Sequence, residues 1–212
     1  QVAVTAERQD VGNFLPNRRA SRRDDRQPPG DVARQLSIAY LALVREVSPS
    51  SDAAWVSFYE LCPWEDHRRG RAAVISEVIE PALEAWIAAE PTSRLAREGR
   101  AHVCFGFGGA AWDGGRVLER YELLWELGLL EESPAPTGCV LGRPMRLDHR
   151  RIVATAFGRL RGKLTYRPVV FELLPPTFTL LQLQRLTEAL AGVVLHKQNF
   201  RRLVEVGGLV EG

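Results

Sequence analysis

The stretch Thr177 to Gly208, TFTLLQLQRLTEALAGVVLHKQNFRRLVEVGG, decides how this chain is read. Thr179 and Gln182 have the spacing of a capping box, in which two side chains satisfy backbone N–H groups at the head of a helix. Leu183, Leu186 and Leu190 then share one face of that helix, and Gly192 is placed to close it in the left-handed conformation. Four residues later a second helix is expected to start near His196. Each residue turns a helix by about 100°. Phe200, Leu203 and Val204 therefore point one way, and Gln198, Arg201, Arg202 and Glu205 the other, with Lys197 and Asn199 on the shoulders. The pattern is helix, tight turn, helix. The second helix is greasy on one side and carries amides and guanidiniums on the other.

Reading the major groove of DNA needs that arrangement. Arginine pairs bidentately with guanine, asparagine and glutamine pair with adenine, and flanking cations hold phosphates. An ordinary αα-hairpin with a solvated basic face fits the same letters. A short helix expected at Arg167–Leu174, stopped by Pro175-Pro176, and a β-like Leu209-Val210 where a wing would begin both favour a winged helix, its wing cut short at Gly212. The candidate DNA-binding residues are Thr179, Gln182, Lys197, Gln198, Asn199, Arg201 and Arg202. Thr179 heads a helix, where free N–H groups suit a phosphate. Lys197 sits beside the turn, a second phosphate position, and Arg201 and Arg202 face base edges.

Working outward, Asp148 is expected to cap a helix whose apolar stripe is Ile152, Val153, Ala156, Phe157, Leu160 and Leu164, with Arg150, Arg151, Arg159 and Arg161 elsewhere. The texture changes after Lys163, which divides the chain into a domain over 1–163 and a second over 164–212. Leu36 to Val44 is a dense apolar run, long enough for a buried strand and too short for a comfortable helix. Trp55–Leu61 alternates aromatic and polar residues and reads as a half-buried strand, and Ala101–Phe107 is another strand candidate. Ala72–Ala89 reads as a helix that Pro81 kinks, and Glu119–Leu130 as a helix stopped near Gly128. The first 34 residues hold a strand-like Val2–Thr5 and then a mobile arm. Its arginines (Arg18, Arg19, Arg22, Arg23, Arg26) alternate with Asp24 and Asp25, the mark of a solvated loop.

With 212 residues, 45% hydrophobic and 25% charged, the composition is that of a globular protein and excludes wholesale disorder or a fibre. A net charge of +2 is too mild to signal nucleic-acid binding in bulk. Arginine supplies all the basic residues except Lys163 and Lys197, a skew that codon bias explains. No apolar run approaches the roughly 20 residues of a membrane span. The only methionine is Met145, so the chain is expected to lack its true start. Cys62, Cys104 and Cys139 are odd in number and far apart, which suits reduced thiols in the cytoplasm.

Other chemistry finds little support. Gly106–Gly109 with Gly114-Gly115 lacks the Gly-Lys-Ser/Thr ending of a phosphate loop and reads as a mobile loop. Cys62 with His67, and His102 with Cys104, lack the paired spacing of a zinc site. No nucleophile elbow supports a serine hydrolase. Trp64 and Trp112 stand beside acidic residues and suit either base stacking or burial, the commoner fate of tryptophan.

The runs LRGKLTYRPVVFELLPPTFTLLQLQRLTEALAG (160–192) and LHKQNFRRLVEVGGLVEG (195–212) resemble the C-terminal winged helix of Nudix-related transcriptional regulators of NAD metabolism. These are the NrtR-type proteins and, more closely, the NadQ-type regulators of alphaproteobacteria. DHRRIVATAFGRLRGKL, LSIAYLALV, CPWED and ERYELLWELGLLEE are similar to segments of their sensor domain. The resemblance spans roughly 36–212. It implies an α+β or α/β fold: a degenerate Nudix-like sensor over 1–163, then a winged helix-turn-helix over 164–212. It also implies a homodimer, a palindromic operator near NAD-biosynthesis genes, and repression modulated by an adenine nucleotide (NAD, ATP or ADP-ribose). It assigns no effector-contacting residue. A Nudix enzyme holds magnesium on a helix bearing Arg-Glu and then a Glu-Glu pair. Here Arg45-Glu46 leads into VSPSS, and Glu131-Glu132 follows a helix instead of lying within one. The chain is accordingly expected to have no catalytic residues, metal or cofactor. A pyrophosphohydrolase of ADP-ribose or NADH is the rival reading, and a protein–protein adaptor the third.

Overall fold

Two extended stretches far apart in sequence pair first. The computed structural model describes residues 2–9, 36–44, 55–164 and 169–207. Strand β1 (Val2–Gln9) runs antiparallel to β2 (Leu36–Leu43), with Val2 opposite Leu43 and Gln9 opposite Leu36. The apolar run at 36–44 is thus a strand, but not a buried one: Leu41 and Leu43 pack inward while Tyr40, on the alternate face, is 61% exposed. The arm over 10–34 with its arginines, Arg45-Glu46, residues 165–168 and Leu209-Val210 lie outside the described residues.

Helices carry most of the rest. They are α1 (Phe58–Leu61), α2 (Glu80–Ala88), α3 (Arg94–Phe105), α4 (Val117–Glu126), α5 (His149–Leu164), α6 (Leu180–Ala191) and α7 (Lys197–Val206). The α+β expectation is met in part only, because the one sheet among the described residues has two strands. No helix among them is long and apolar enough to cross a membrane.

Two expected strands are helices, each for a local reason. Trp55–Leu61 contains Ser57 and Glu60, and these close a capping box that starts α1. A satisfied helix start outweighs aromatic alternation over so short a run. In Ala101–Phe107 the buried residues are Ala101, Cys104 and Phe105, spaced as neighbours on one helical face, and Gly106 ends α3 at φ +63°. The period there is helical, and the glycine is its stop. Pro81 does not simply kink its helix. The chain makes a π-helical turn at Ile75–Ile79 and starts α2 around the proline. A wide turn accommodates the missing N–H without breaking the element. The segment 167–174 contributes a 3₁₀ turn at Val169–Leu173.

The described residues bury two apolar clusters. The larger gathers Trp64, Ile75, Ile79, Leu83, Phe105, Leu123 and Leu124, and within it Phe58 stacks on Phe157 at 3.6 Å between ring centroids. The smaller holds Leu160, Val170, Leu174, Leu183, Leu190 and Val204, with Leu41 and Leu43 of β2 against it. Full burial of each such side chain is worth about 1.5–3 kcal/mol. Helix α5 runs through both clusters and ties them together.

Arg150 and Arg161 correct the expectation for α5. Both are buried, at 0% and 5% exposure, on the same stripe as Ala154 and Phe157. Residues 150, 154, 157 and 161 share a helix face by periodicity. The two arginines fit there because each finds a carboxylate and several carbonyls in the interior.

Candidate nucleic-acid interface

Helix α6 begins as its sequence requires. Gln182 donates its backbone N–H to Thr179 Oγ1 at 3.2 Å, and the Thr179 N–H donates to Gln182 Oε1 at 2.7 Å. Both side chains are exposed but already bonded to each other. The helix closes at Gly192, φ +75°, whose N–H donates to Glu188 O at 2.9 Å. A Cβ at this position would meet Glu65 O and Arg161 Nη2 well inside contact distance. Only glycine serves at this left-handed, crowded site.

Side chains of α6 brace the turn that follows. Gln184 Nε2 donates to Glu188 Oε1 (3.0 Å) and to Leu195 O (2.9 Å), and the Leu195 N–H donates to Glu188 Oε1 (2.9 Å). The Leu195 N–H, and then the Gln184 amide, hold the Glu188 carboxyl below its usual range. Hydrogen bonds to the charged form have that effect.

Helix α7 then presents Lys197, Gln198, Asn199, Arg201 and Arg202 to solvent. Val204 is buried and Phe200 packs on the smaller cluster. Leu203, expected on the buried side, is 67% exposed. It stands about 100° round the helix from Val204, outside the narrow arc that α7 buries. Arg201 Nε donates to Glu205 Oε1 at 2.7 Å, an exposed pair one turn apart. The Lys197–Arg202 face therefore combines cations and amides, with one carboxylate answering Arg201.

The turn between α6 and α7 is gripped from the other side. Tyr59 Oη donates to Ala189 O (2.7 Å), Arg161 Nε to Leu190 O (3.0 Å), and the His67 N–H to Gly192 O (2.7 Å). Behind these bonds lies Glu65, 1% exposed. Its carboxylate takes Arg161 Nη1 at 2.5 Å and a bidentate pair from Arg120 at 2.6 and 3.0 Å. Arg120 also donates to Asp113 O (2.8 Å) and Cys104 O (3.1 Å), and its guanidinium lies 3.9 Å above the Trp112 ring. A charge so deep is tolerable only when paired and fully bonded, as here.

Sequence reasoning missed Glu65. CPWED carries the family resemblance, and the resemblance assigns its acid no role. A carboxylate directly after Cys62, Pro63 and Trp64 was the available signal, since apolar neighbours on one short turn carry it inward. Trp64 itself is fully buried, and Trp112 packs between Arg120 and His67, whose ring lies 4.2 Å away. Burial of the Cys62 thiol pushes it above the ordinary range, which suits packing. The Gly106–Gly109 stretch is the cap of α3 and a tight 3₁₀ turn.

Residues 170–212 match the NrtR DNA-binding winged helix domain. A stretch of 67 residues is 39% identical to a protein of Acinetobacter baylyi called ADPR responsive transcriptional repressor NtrR. That match spans 32% of this chain and 27% of the relative's length. Both findings bear out the resemblance to NrtR-type regulators.

Proposed function

From the NrtR-type winged helix at its C-terminal end, we propose that this chain is a DNA-binding transcriptional repressor whose operator affinity answers to an adenine nucleotide. The exposed cation-and-amide face of α7 is the observation that carries the reading. That helix lies over a turn fixed from beneath, so it can enter a major groove without losing its own footing. Arg201 and Arg202 read base edges. Lys197 and the N-terminus of α6 at Thr179 and Gln182 hold phosphates. ADP-ribose is the first effector to test, because the similar repressor carries it in its name; NAD and ATP follow. A homodimer on a palindromic operator beside NAD-biosynthesis genes completes the reading, with the Nudix-like segment acting as sensor and without hydrolysis of its own. Effector binding works by population shift, changing the spacing of the two recognition helices.

Binding isotherms on the native promoter and on random DNA at three salt concentrations test this. Lys197→Ala should weaken both DNAs alike and lower the slope of log K against log salt by about 0.9. Loss of operator affinity alone would place Lys197 in the groove instead. Equal affinity of the unaltered chain for promoter and random DNA would overturn the repressor reading. Chelator-sensitive turnover of ADP-ribose, NAD or NADH with magnesium would restore the enzyme.

A further inference from the structure

A cleft of about 790 Å³ lies away from α7, between α4 and the start of α5. Its size falls in the range that receives a nucleotide-sized ligand. Tyr121 and Trp125, one turn apart on α4, give it an aromatic wall. Trp125 is 40% exposed, and its Nε1 donates to Glu132 O at 3.0 Å, which fixes the ring's edge. Tyr121 Oη donates to Glu132 Oε1 at 3.1 Å, and burial raises that phenol above its ordinary range. On the rim Arg100 pairs with Glu126 at 2.7 Å and Arg151 with Glu122 at 2.5 Å. Both pairs are about half exposed, so their bonds can be exchanged for a ligand's at little cost.

We propose that this cleft is the effector site, and that it takes a ribosylated aromatic ligand carrying few negative charges, a dinucleotide or nucleoside diphosphate sugar rather than a triphosphate. The inference rests on the effector-responsive reading above. A flat base stacks on Trp125 as bases stack on aromatic side chains generally. Ribose hydroxyls are donors, and Glu122, Glu126 and Asp148 supply acceptors around the same space. Arg100 and Arg151 supply two anion contacts, enough for a pyrophosphate. The charge count decides between ligands. Even with Glu132 neutralised by buried Arg150, three carboxylates face two guanidiniums along the lining. Each further phosphate charge brought there meets repulsion.

The cleft is also bonded to the DNA-binding turn. Glu132 lines it and holds Arg150 through two bonds of 2.6 Å. Arg150 Nη1 reaches Leu61 O at 3.1 Å. Four residues on, Glu65 holds Arg161, which bonds Leu190 O. A ligand that moves Glu132 thus acts on groups that set the turn.

The test is calorimetric titration of the full chain with ADP-ribose, NAD and ATP, with operator binding measured on the same samples. ADP-ribose or NAD should bind about tenfold more tightly than ATP, each charge added costing a modest factor. Trp125→Ala should weaken the better ligand about tenfold by loss of stacking. Arg151→Ala, at an exposed position, should weaken it about fivefold. Operator affinity without nucleotide should stay at its unaltered value in Arg151→Ala, whose side chain bonds Glu122 and not Glu132. Nucleotide affinity unchanged in both variants, ATP binding tightest, or none of the three binding would overturn the proposal, even with operator binding intact. Cleft-dependent nucleotide binding by a chain that ignores the operator would uphold this site and remove the repressor reading.

Discussion

Two sets of arginines in this molecule share a side chain and nothing else. Arg120, Arg150 and Arg161 are buried, each with a carboxylate and at least two main-chain carbonyls as partners. Arg201 and Arg202 stand in solvent on α7, and Arg201 bonds only a glutamate one turn away. The first set uses the planar fork of donors to stitch loops and helix ends together. The second keeps the same fork available for a partner. A guanidinium remains charged in either setting, so burial and satisfaction decide its role. The sign of the charge does not.

The largest effect should come from unpairing the buried set. Glu65→Ala leaves two enclosed guanidiniums without their carboxylate, and should destabilise the fold by about 3–5 kcal/mol in denaturant titrations. A loss below about 1 kcal/mol would mean that water reaches the node and that the two sets differ less than their exposure indicates. Removing the exposed set should reverse the pattern. Arg201→Ala and Arg202→Ala should each weaken operator binding about 5- to 150-fold while leaving the unfolding midpoint in place. Unchanged operator affinity in both would break the comparison outright.

Two smaller effects sharpen it at α6. Thr179→Ala opens the capping box and should cost about 1 kcal/mol of stability. If Thr179 also holds a phosphate, operator and random DNA should weaken together beyond that loss. Glu188 has a folded pKa below its unfolded value, so its contribution is present above the ordinary carboxyl range and lost as pH falls through the lower folded value. Glu188→Gln should therefore trail the unaltered chain in stability at about pH 6, and the gap should narrow steadily as pH falls below the ordinary carboxyl range. A gap that persists in acid would show that the turn is braced by shape and not by charge.

The C-terminal third was legible because its signals are local. Capping at Thr179, closure at Gly192 and the face of α7 follow from residues within a few turns of each other. Leu203 was misplaced because the width of a buried arc depends on what packs against the helix, and its own sequence does not state that. Strand readings at Trp55–Leu61 and Ala101–Phe107 failed where a short alternation masked a capping box and a helical period. The pairings of Arg150, Arg161 and Glu65 were not legible, even where a local signal for burial was. Their partners lie far along the chain, 96 residues apart for Glu65 with Arg161, and no window reaches across that distance. The aromatic cleft shares this trait, since Arg100 and Arg151 come to it from different helices.

The bonds beneath the helix-turn-helix all end on peptide oxygens, at Ala189, Leu190 and Gly192. Peptide oxygens are the same whatever side chain a residue bears. The exposed residues of α7 can therefore be replaced without altering these bonds. On the proposed reading of α7 as the recognition helix, exchanging its outward residues alone changes the operator preference of one constant body. That separation makes the α7 face a natural cassette for a randomised library, with the body kept as a constant chassis.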